Sequence, residues 1–194
     1  MHRLAIGLAR GMAVLGGIVL SALILLTCVS VLGRLINTIL HSGWIEAVAG
    51  DLATTLLATG IGPVAGDFEL VEACIAFAIF AFMPLAQVSG GHASVDIFTS
   101  GLSERTNRVL TLIWELLFAA VLITIAWRLY AGMAAKMRYG ETTMLLQFPI
   151  WWAYGASFFG AAVAALIGVY VAIARALEVV TGRIILQAAG GAGH

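Results

Sequence analysis

The chain has 194 residues, of which 62% are hydrophobic and 10% are charged, and its formal net charge is zero. Soluble domains carry about 25% charged residues, and a fold of this length cannot hide so much apolar surface in its own interior. The composition therefore predicts a protein whose solvent is the lipid bilayer. The balanced charge provides no basic surface for nucleic acid, so membrane lipid is an expected partner and nucleic acid is not.

The N-terminal region predicts a membrane helix that is retained in the protein. Arg3 and Arg10 precede an apolar run over residues 11–33 that carries no charged side chain. A secretory signal has a similar order of features, but its apolar part is only about 7–15 residues long. Because a helix needs about 20 apolar residues to cross the hydrocarbon core, residues 11–33 are interpreted as the first span.

The segment 34–67 is predicted to be an outer loop that contains an amphipathic helix. Glu46, Asp51 and Pro63 argue against a fifth span here. A helix would separate an apolar face from a polar face, with Ile45, Val48, Leu52 and Leu56 on the first and Glu46, Asp51 and Thr54 on the second. Such a helix is suited to the membrane surface or to a partner. The alternative is an irregular loop.

Three further spans follow, over residues 70–88, 107–133 and 148–174. Helices are expected because lipid offers the backbone no hydrogen-bond partners. The third helix has no plausible C-terminal stop before Gly140, so it would tilt or project beyond the bilayer. The predicted fold class is all-α integral membrane, a single membrane domain over residues 1–194 with four transmembrane helices.

The distribution of Lys and Arg predicts that both termini are cytoplasmic. The inner segments would hold Arg3, Arg10, Arg105, Arg108, Arg175 and Arg183, and the outer segments would hold Arg34, Lys136 and Arg138. Cytoplasmic loops carry the excess of these residues, which favours cytoplasmic termini in this arrangement. Aromatic residues fit a belt at the outer interface: Trp44, Trp151, Trp152 and Tyr154.

Four ionisable residues lie in or near the predicted spans: Glu69, Glu72, Glu115 and Arg128. Charges inside a membrane are costly and often functional. Each of these residues can reach an interface, which favours a structural role in snorkelling or helix pairing, and direct ion or proton passage is the alternative. Cys28 and Cys74 lie in apolar runs and are interpreted as small hydrophobic residues.

The histidines argue against several membrane enzymes, because none lies inside a predicted span. They are His2, His41, His92 and His194. A haem-carrying membrane anchor needs axial ligands within the membrane, and an intramembrane serine protease needs a histidine beside its serine. A quinone-linked disulfide oxidase needs pairs of cysteines at the outer face. No catalytic residue, cofactor or metal ligand is therefore expected.

Small residues recur every four positions in the fourth span: Ala156, Gly160, Ala164 and Gly168. Small side chains let helix backbones approach closely in lipid, where dispersion replaces the hydrophobic effect. The pattern predicts a helix-packing surface, and a simple Ala/Gly-rich composition is the alternative.

Two stretches resemble a known family. Residues 90–102 read GGHASVDIFTSGL, and residues 140–154 read GETTMLLQFPIWWAY. With four spans and this length, the chain resembles the small, DctQ-like membrane subunit of tripartite ATP-independent periplasmic (TRAP) transporters over roughly residues 68–174. The matching positions are His92, Val95, Asp96, Gly140, Thr143, Leu146, Pro149, Trp151 and Tyr154, and either Glu69 or Glu72 matches an acidic start of the second span. The long first outer loop departs from shorter members.

The resemblance implies a non-catalytic subunit that braces a large membrane subunit. That large subunit would import organic acids with sodium, and a periplasmic solute-binding protein would deliver them. The motif residues are expected to be structural, with Ser94 or Asp96 as a helix cap and Pro149 in the first turn of the fourth helix. A membrane anchor of a redox enzyme and a small dimeric exporter that uses Glu115 are the alternatives.

Overall fold

The computed structural model describes residues 2–90 and 103–181, without the side chains of 46–49 and 104. The described residues form five helices, whose bounds are α1 His2–Leu40, α2 Gly43–Ala58, α3 Asp67–Val88, α4 Glu104–Tyr139 and α5 Trp151–Thr181. All except α2 are long and apolar enough to cross a membrane. The predicted all-α membrane fold with four spanning helices is therefore confirmed.

The helices extend beyond the apolar runs that predicted them. α1 is 39 residues long, or about 58 Å at 1.5 Å per residue. It begins before the predicted residue 11 and continues past residue 33, because Arg10 and Arg34 are compatible with a helix and no proline interrupts it. The predicted outer loop 34–67 is shortened to residues 41–66, and it contains α2.

The spanning helices pack side by side in the order α1, α3, α5 and α4. α3 and α5 form the centre, with α1 on one flank and α4 on the other. One cluster joins α1 to this centre through Met12, Ala81 and Val163, and another joins α4 to α5 through Leu122 and Ala164. α5 is thus the main connection between α4 and the rest of the described structure.

The helix α2 lies against α1. Ala53 is its buried side chain, whereas Leu52 and Leu56 of the predicted apolar face are 66% and 40% exposed. The helix itself is as expected, and Leu52 and Leu56 remain available to another surface.

The end of α4 agrees with the predicted stop at Gly140, whereas the start of α5 is later than predicted. Gly140 adopts a left-handed conformation with φ +62° and donates its backbone N–H to the carbonyl of Lys136 at 3.1 Å. α5 begins at Trp151 and not at residue 148. Pro149 therefore precedes the helix, and the prediction that it lies in the first helical turn is wrong. Its backbone instead pairs with that of Thr142.

Candidate functional site

The connection between α4 and α5 is a tight hairpin over residues 141–150. Thr142 and Pro149 face each other in an antiparallel bridge, and the Thr143 N–H donates to the carbonyl of Phe148 at 3.0 Å. The turn places Gln147 at φ +55°, a left-handed conformation that is uncommon for a side-chain-bearing residue. The sequence motif before the fourth span therefore specifies a defined backbone shape.

Glu69, in the first turn of α3, binds this hairpin directly. Its Oε1 accepts the backbone N–H of Leu145 at 2.7 Å, and its Oε2 accepts that of Leu146 at 2.9 Å. A carboxylate that accepts two consecutive amides satisfies donors at the tip of a turn that would otherwise lack partners. We name this pair of hydrogen bonds the Glu69 latch. It joins two segments that are 76 residues apart in the chain.

A glycine allows the hairpin to sit close to the start of α3. Gly66, which precedes α3, has φ +77°, and a Cβ at this position would overlap the side chain of Leu146. Leu146 is therefore held from two sides, by the Glu69 latch at its amide and by Gly66 at its side chain.

Asp67, two residues before Glu69, is bound to α1. Its Oδ2 accepts the hydroxyl of Ser30 at 2.5 Å and lies 3.7 Å from Nη2 of Arg34. The same Ser30 oxygen accepts the backbone N–H of Val64 at 3.2 Å, and Ser30 is fully buried. Ser30 thus connects α1 both to the start of α3 and to the loop before it.

The remainder of that loop is held by the last turns of α1. The Asn37 side chain donates to the carbonyl of Ile61 at 3.1 Å. A Cβ at Gly33 would overlap the backbone of Gly62, so this glycine is what permits the contact. The Arg34 guanidinium also lies 5.7 Å from the centre of the Phe68 ring.

Tyr154 packs α5 against α4 next to the hairpin, and Lys136 connects the end of α4 to the hairpin itself. A Cβ on Gly132 of α4 would come within 2.6 Å of the Tyr154 ring, so the glycine forms a slot for this side chain. Lys136 pairs with Glu141 at the end of α4. Gly132 therefore leaves room for the Tyr154 ring between α4 and α5.

Seven of the predicted motif residues therefore meet at one end of the molecule: Glu69, Gly140, Thr143, Leu146, Pro149, Trp151 and Tyr154. Glu72 lies one turn further along α3 and faces a cavity beside the hairpin. His92, Val95 and Asp96 lie outside the described residues. The sequence left open which of Glu69 and Glu72 matches the family's acidic start of the second span; of the two, Glu69 is the one that binds the hairpin.

Most of the small residues of α5 are packed inside the chain. Gly160, Ala164 and Gly168 are buried, whereas Ala156 is exposed. A Cβ on Gly160 would lie 3.0 Å from Phe80 Cβ of α3, and one on Gly168 would lie 2.9 Å from the amide nitrogen of Gln87. This surface therefore brings α5 against α3 and α4, and it is already occupied within the subunit.

The remaining charged residues of the spans differ in how far they are exposed. Glu115 of α4 is 9% exposed, whereas Arg128 of the same helix is exposed. Glu178 is buried and accepts from Arg175 at 2.7 Å. Glu115 is the more enclosed of the two, and snorkelling of Arg128 to the interface stays a prediction.

The polar groups at the hairpin end mainly connect backbone segments. Ser30, Asn37 and Glu69 each bind a main-chain group of a loop. No group of three or more His, Cys, Asp or Glu that could hold a metal ion occurs among residues 2–90 and 103–181. These hydrogen bonds can fix the relative position of the helices. Together with the four spanning helices, they define a multi-pass helical membrane protein whose connecting loops are bound to its helices.

Comparison with known families identifies this class more closely. The family described as "Tripartite ATP-independent periplasmic transporters, DctQ component" matches residues 23–179. The chain belongs to this family, so it is a small membrane subunit of TRAP transporters and not an enzyme. The match includes the hairpin and the Glu69 latch. No curated protein and no solved structure matches the chain.

Sequence reasoning missed the glycines and the serine that make these contacts possible. Ser30 was the detectable one, because a hydroxyl in an otherwise apolar span needs a hydrogen-bond partner. Gly66 precedes an acidic helix start, where Asp67 and Glu69 can bind amides. Gly33 and Gly132 gave no signal of their own, since glycine is common in membrane helices.

Proposed function

We propose that this chain braces the large membrane subunit of a TRAP-type secondary transporter. The large subunit carries the substrate and sodium sites and imports organic acids that a periplasmic solute-binding protein delivers. The family match over residues 23–179 carries this proposal. In the proposed orientation both termini are cytoplasmic, and the hairpin and α2 lie on the periplasmic side of the inner membrane, in accord with the excess of Lys and Arg at the other end.

The polar inventory of the chain supports a bracing role. Substrate and sodium sites of secondary transporters use convergent polar groups and broken helices near the midplane. In the described spans the buried polar side chains are few and dispersed: Ser30, Gln87, Glu115, Ser157 and Glu178. Ser30 is bound to a loop, and Glu178 to Arg175. Affinity for solute therefore comes from another subunit.

The way the chain uses its surfaces also supports bracing. The small residues of α5 fix α3 and α4 inside the subunit, while α1 and α4 keep bulky apolar side chains outside. Ile24 and Leu25 of α1 are 55% and 66% exposed, and Trp114 of α4 is 64% exposed. These flanks are where lipid and the large subunit lie, and the loops that join the helices are held in place by Ser30 and Glu69.

Reconstitution tests the proposal. Vesicles that contain this chain alone should show no sodium-driven uptake, and addition of the large subunit with a loaded binding protein should restore it. The large subunit should co-purify with this chain from membranes, and an outside-only reporter fused after Gly140 should be active. Uptake by this chain alone, or full uptake when it is omitted, would contradict the proposed role.

A further inference from the structure

A cavity of about 830 Å³ lies between α3, the α4–α5 hairpin and the start of α5. Its walls are mainly apolar, with Phe68 and Ala76 on α3, Phe148 on the hairpin and Ala153 on α5. The alanines leave the space that larger residues would fill. The cavity is partly open to the surface, at the end of the molecule where three spanning helices begin or end.

One carboxylate at this cavity lacks a partner, although its neighbours have one. Asp67 is bound by Ser30, Glu69 by the hairpin amides, and Glu141 by Lys136. Glu72 is exposed and lines the cavity, and it makes no hydrogen bond or ion pair with any residue in the described part of the chain. Of the two carboxylates that line this mainly apolar cavity, Glu69 and Glu72, it is the one without a partner among the described residues.

The position of Glu72 determines which ligand suits it. It lies five residues beyond the start of α3, or about 7.5 Å along the helix axis, close to the interface of a spanning segment. A carboxylate at this depth is costly without a cation. A small hydrated ion would gain nothing from the apolar walls, whereas an amphiphile with an ammonium head and an acyl chain would satisfy both the carboxylate and the walls.

We propose that this cavity binds a phospholipid with a primary-amine headgroup, of the phosphatidylethanolamine class. The ammonium donates to Glu72, and one acyl chain lies along Phe68, Ala76 and Phe148. An anionic headgroup is disfavoured, because Glu69 and Glu72 both carry negative charge on this side of α3. The inference rests on the chain being a membrane protein, and it does not depend on its partners in transport.

Lipid binding to the purified full chain tests this inference. Native mass spectrometry with delipidated protein would compare phosphatidylethanolamine and phosphatidylglycerol that have identical acyl chains. The wild type should bind phosphatidylethanolamine more tightly. Glu72→Gln should weaken that binding by about tenfold, the range of a charge-assisted hydrogen bond, and should leave phosphatidylglycerol binding unchanged or improved.

Three further variants separate headgroup recognition from general effects. Glu72→Asp should retain the preference, Ala76→Leu should reduce binding of the preferred lipid by narrowing the cavity, and Asp51→Asn on α2 should change neither lipid. Equal binding of the two lipids by the wild type would overturn the proposal, as would an unchanged preference in Glu72→Gln. Photo-crosslinking from Glu72 to a protein partner in place of lipid would also overturn it.

Discussion

α5 and α1 are both long apolar helices, but they meet very different surroundings. Over the most apolar 18-residue window of each, 56% of α5 is buried inside the chain and 17% of α1 is. Hydropathy does not account for this difference in burial, since both windows are strongly apolar. Side-chain size does, because α5 places Gly160, Ala164 and Gly168 towards α3 and α4, whereas α1 exposes bulky residues such as Ile18 and Leu25. In a bilayer, small residues therefore mark the helix that other helices approach.

The largest expected effect comes from filling the contact at the centre of α5. Gly168→Leu should destabilise the detergent-solubilised chain by about 1–3 kcal/mol, because the added atoms would meet the Gln87 amide and the Ala119 backbone. A thermal unfolding measurement would report this as a lower Tm.

The same substitution on α1 provides the matched control. A Cβ on Gly17 meets nothing within 4 Å, so Gly17→Leu should change stability by less than about 0.5 kcal/mol. Equal losses of stability from Gly168→Leu and Gly17→Leu would contradict the difference in packing between α5 and α1.

A smaller effect is expected where α1 does make a specific contact. Ser30→Ala removes the hydroxyl that binds Asp67 and the Val64 amide, and it should cost about 0.5–1.5 kcal/mol, because the Val64 amide loses its partner whereas Asp67 keeps Arg34. Ser21→Ala, an exposed position on the same helix, should be close to neutral. If the two variants unfold at the same temperature, α1 is held by packing alone.

The smallest effect on global stability should come from Glu69→Gln. The amide side chain keeps one acceptor oxygen, so one of the two hairpin amides loses its partner while the helices remain packed. Hydrogen exchange should accelerate at Leu145 and Leu146 and stay unchanged within α5. Glu72→Gln is the control, since Glu72 has no contact with the hairpin amides; unchanged exchange in Glu69→Gln would rule out the latch.

The spans could be predicted from the sequence because hydropathy depends on composition along one segment. The stop at Gly140 was also predictable, since a left-handed cap favours glycine. The Glu69 latch was not, because it depends on how two segments 76 residues apart in the chain meet. The role of Pro149 was predicted wrongly for a local reason. Proline suits a first helical turn, but here a hairpin bridge to Thr142 occupies that position.

The same limit applies to the small residues of α5. Their spacing predicted a packing surface but did not identify the partner. The partner is defined by Phe80 and Gln87 of α3 and by Ala119 of α4, which lie in other segments of the chain. Gly16 of α1 also makes a close contact, with Ala81 of α3. It is not part of the four-residue repeat that predicted the packing surface of α5, so that repeat would not have identified it.

The order of the helices has a consequence for how the protein is made. α1 and α3 pack directly on each other, so they can associate as soon as both are in the membrane. α4 is synthesised next, yet its main contacts are with α5, which follows it on the chain. During synthesis α4 therefore lies in the membrane without its main packing partner until α5 is inserted. Once α5 has been inserted, it packs on both α3 and α4 and joins them. A chain truncated before Trp151 would leave α4 without the helix that makes most of its contacts.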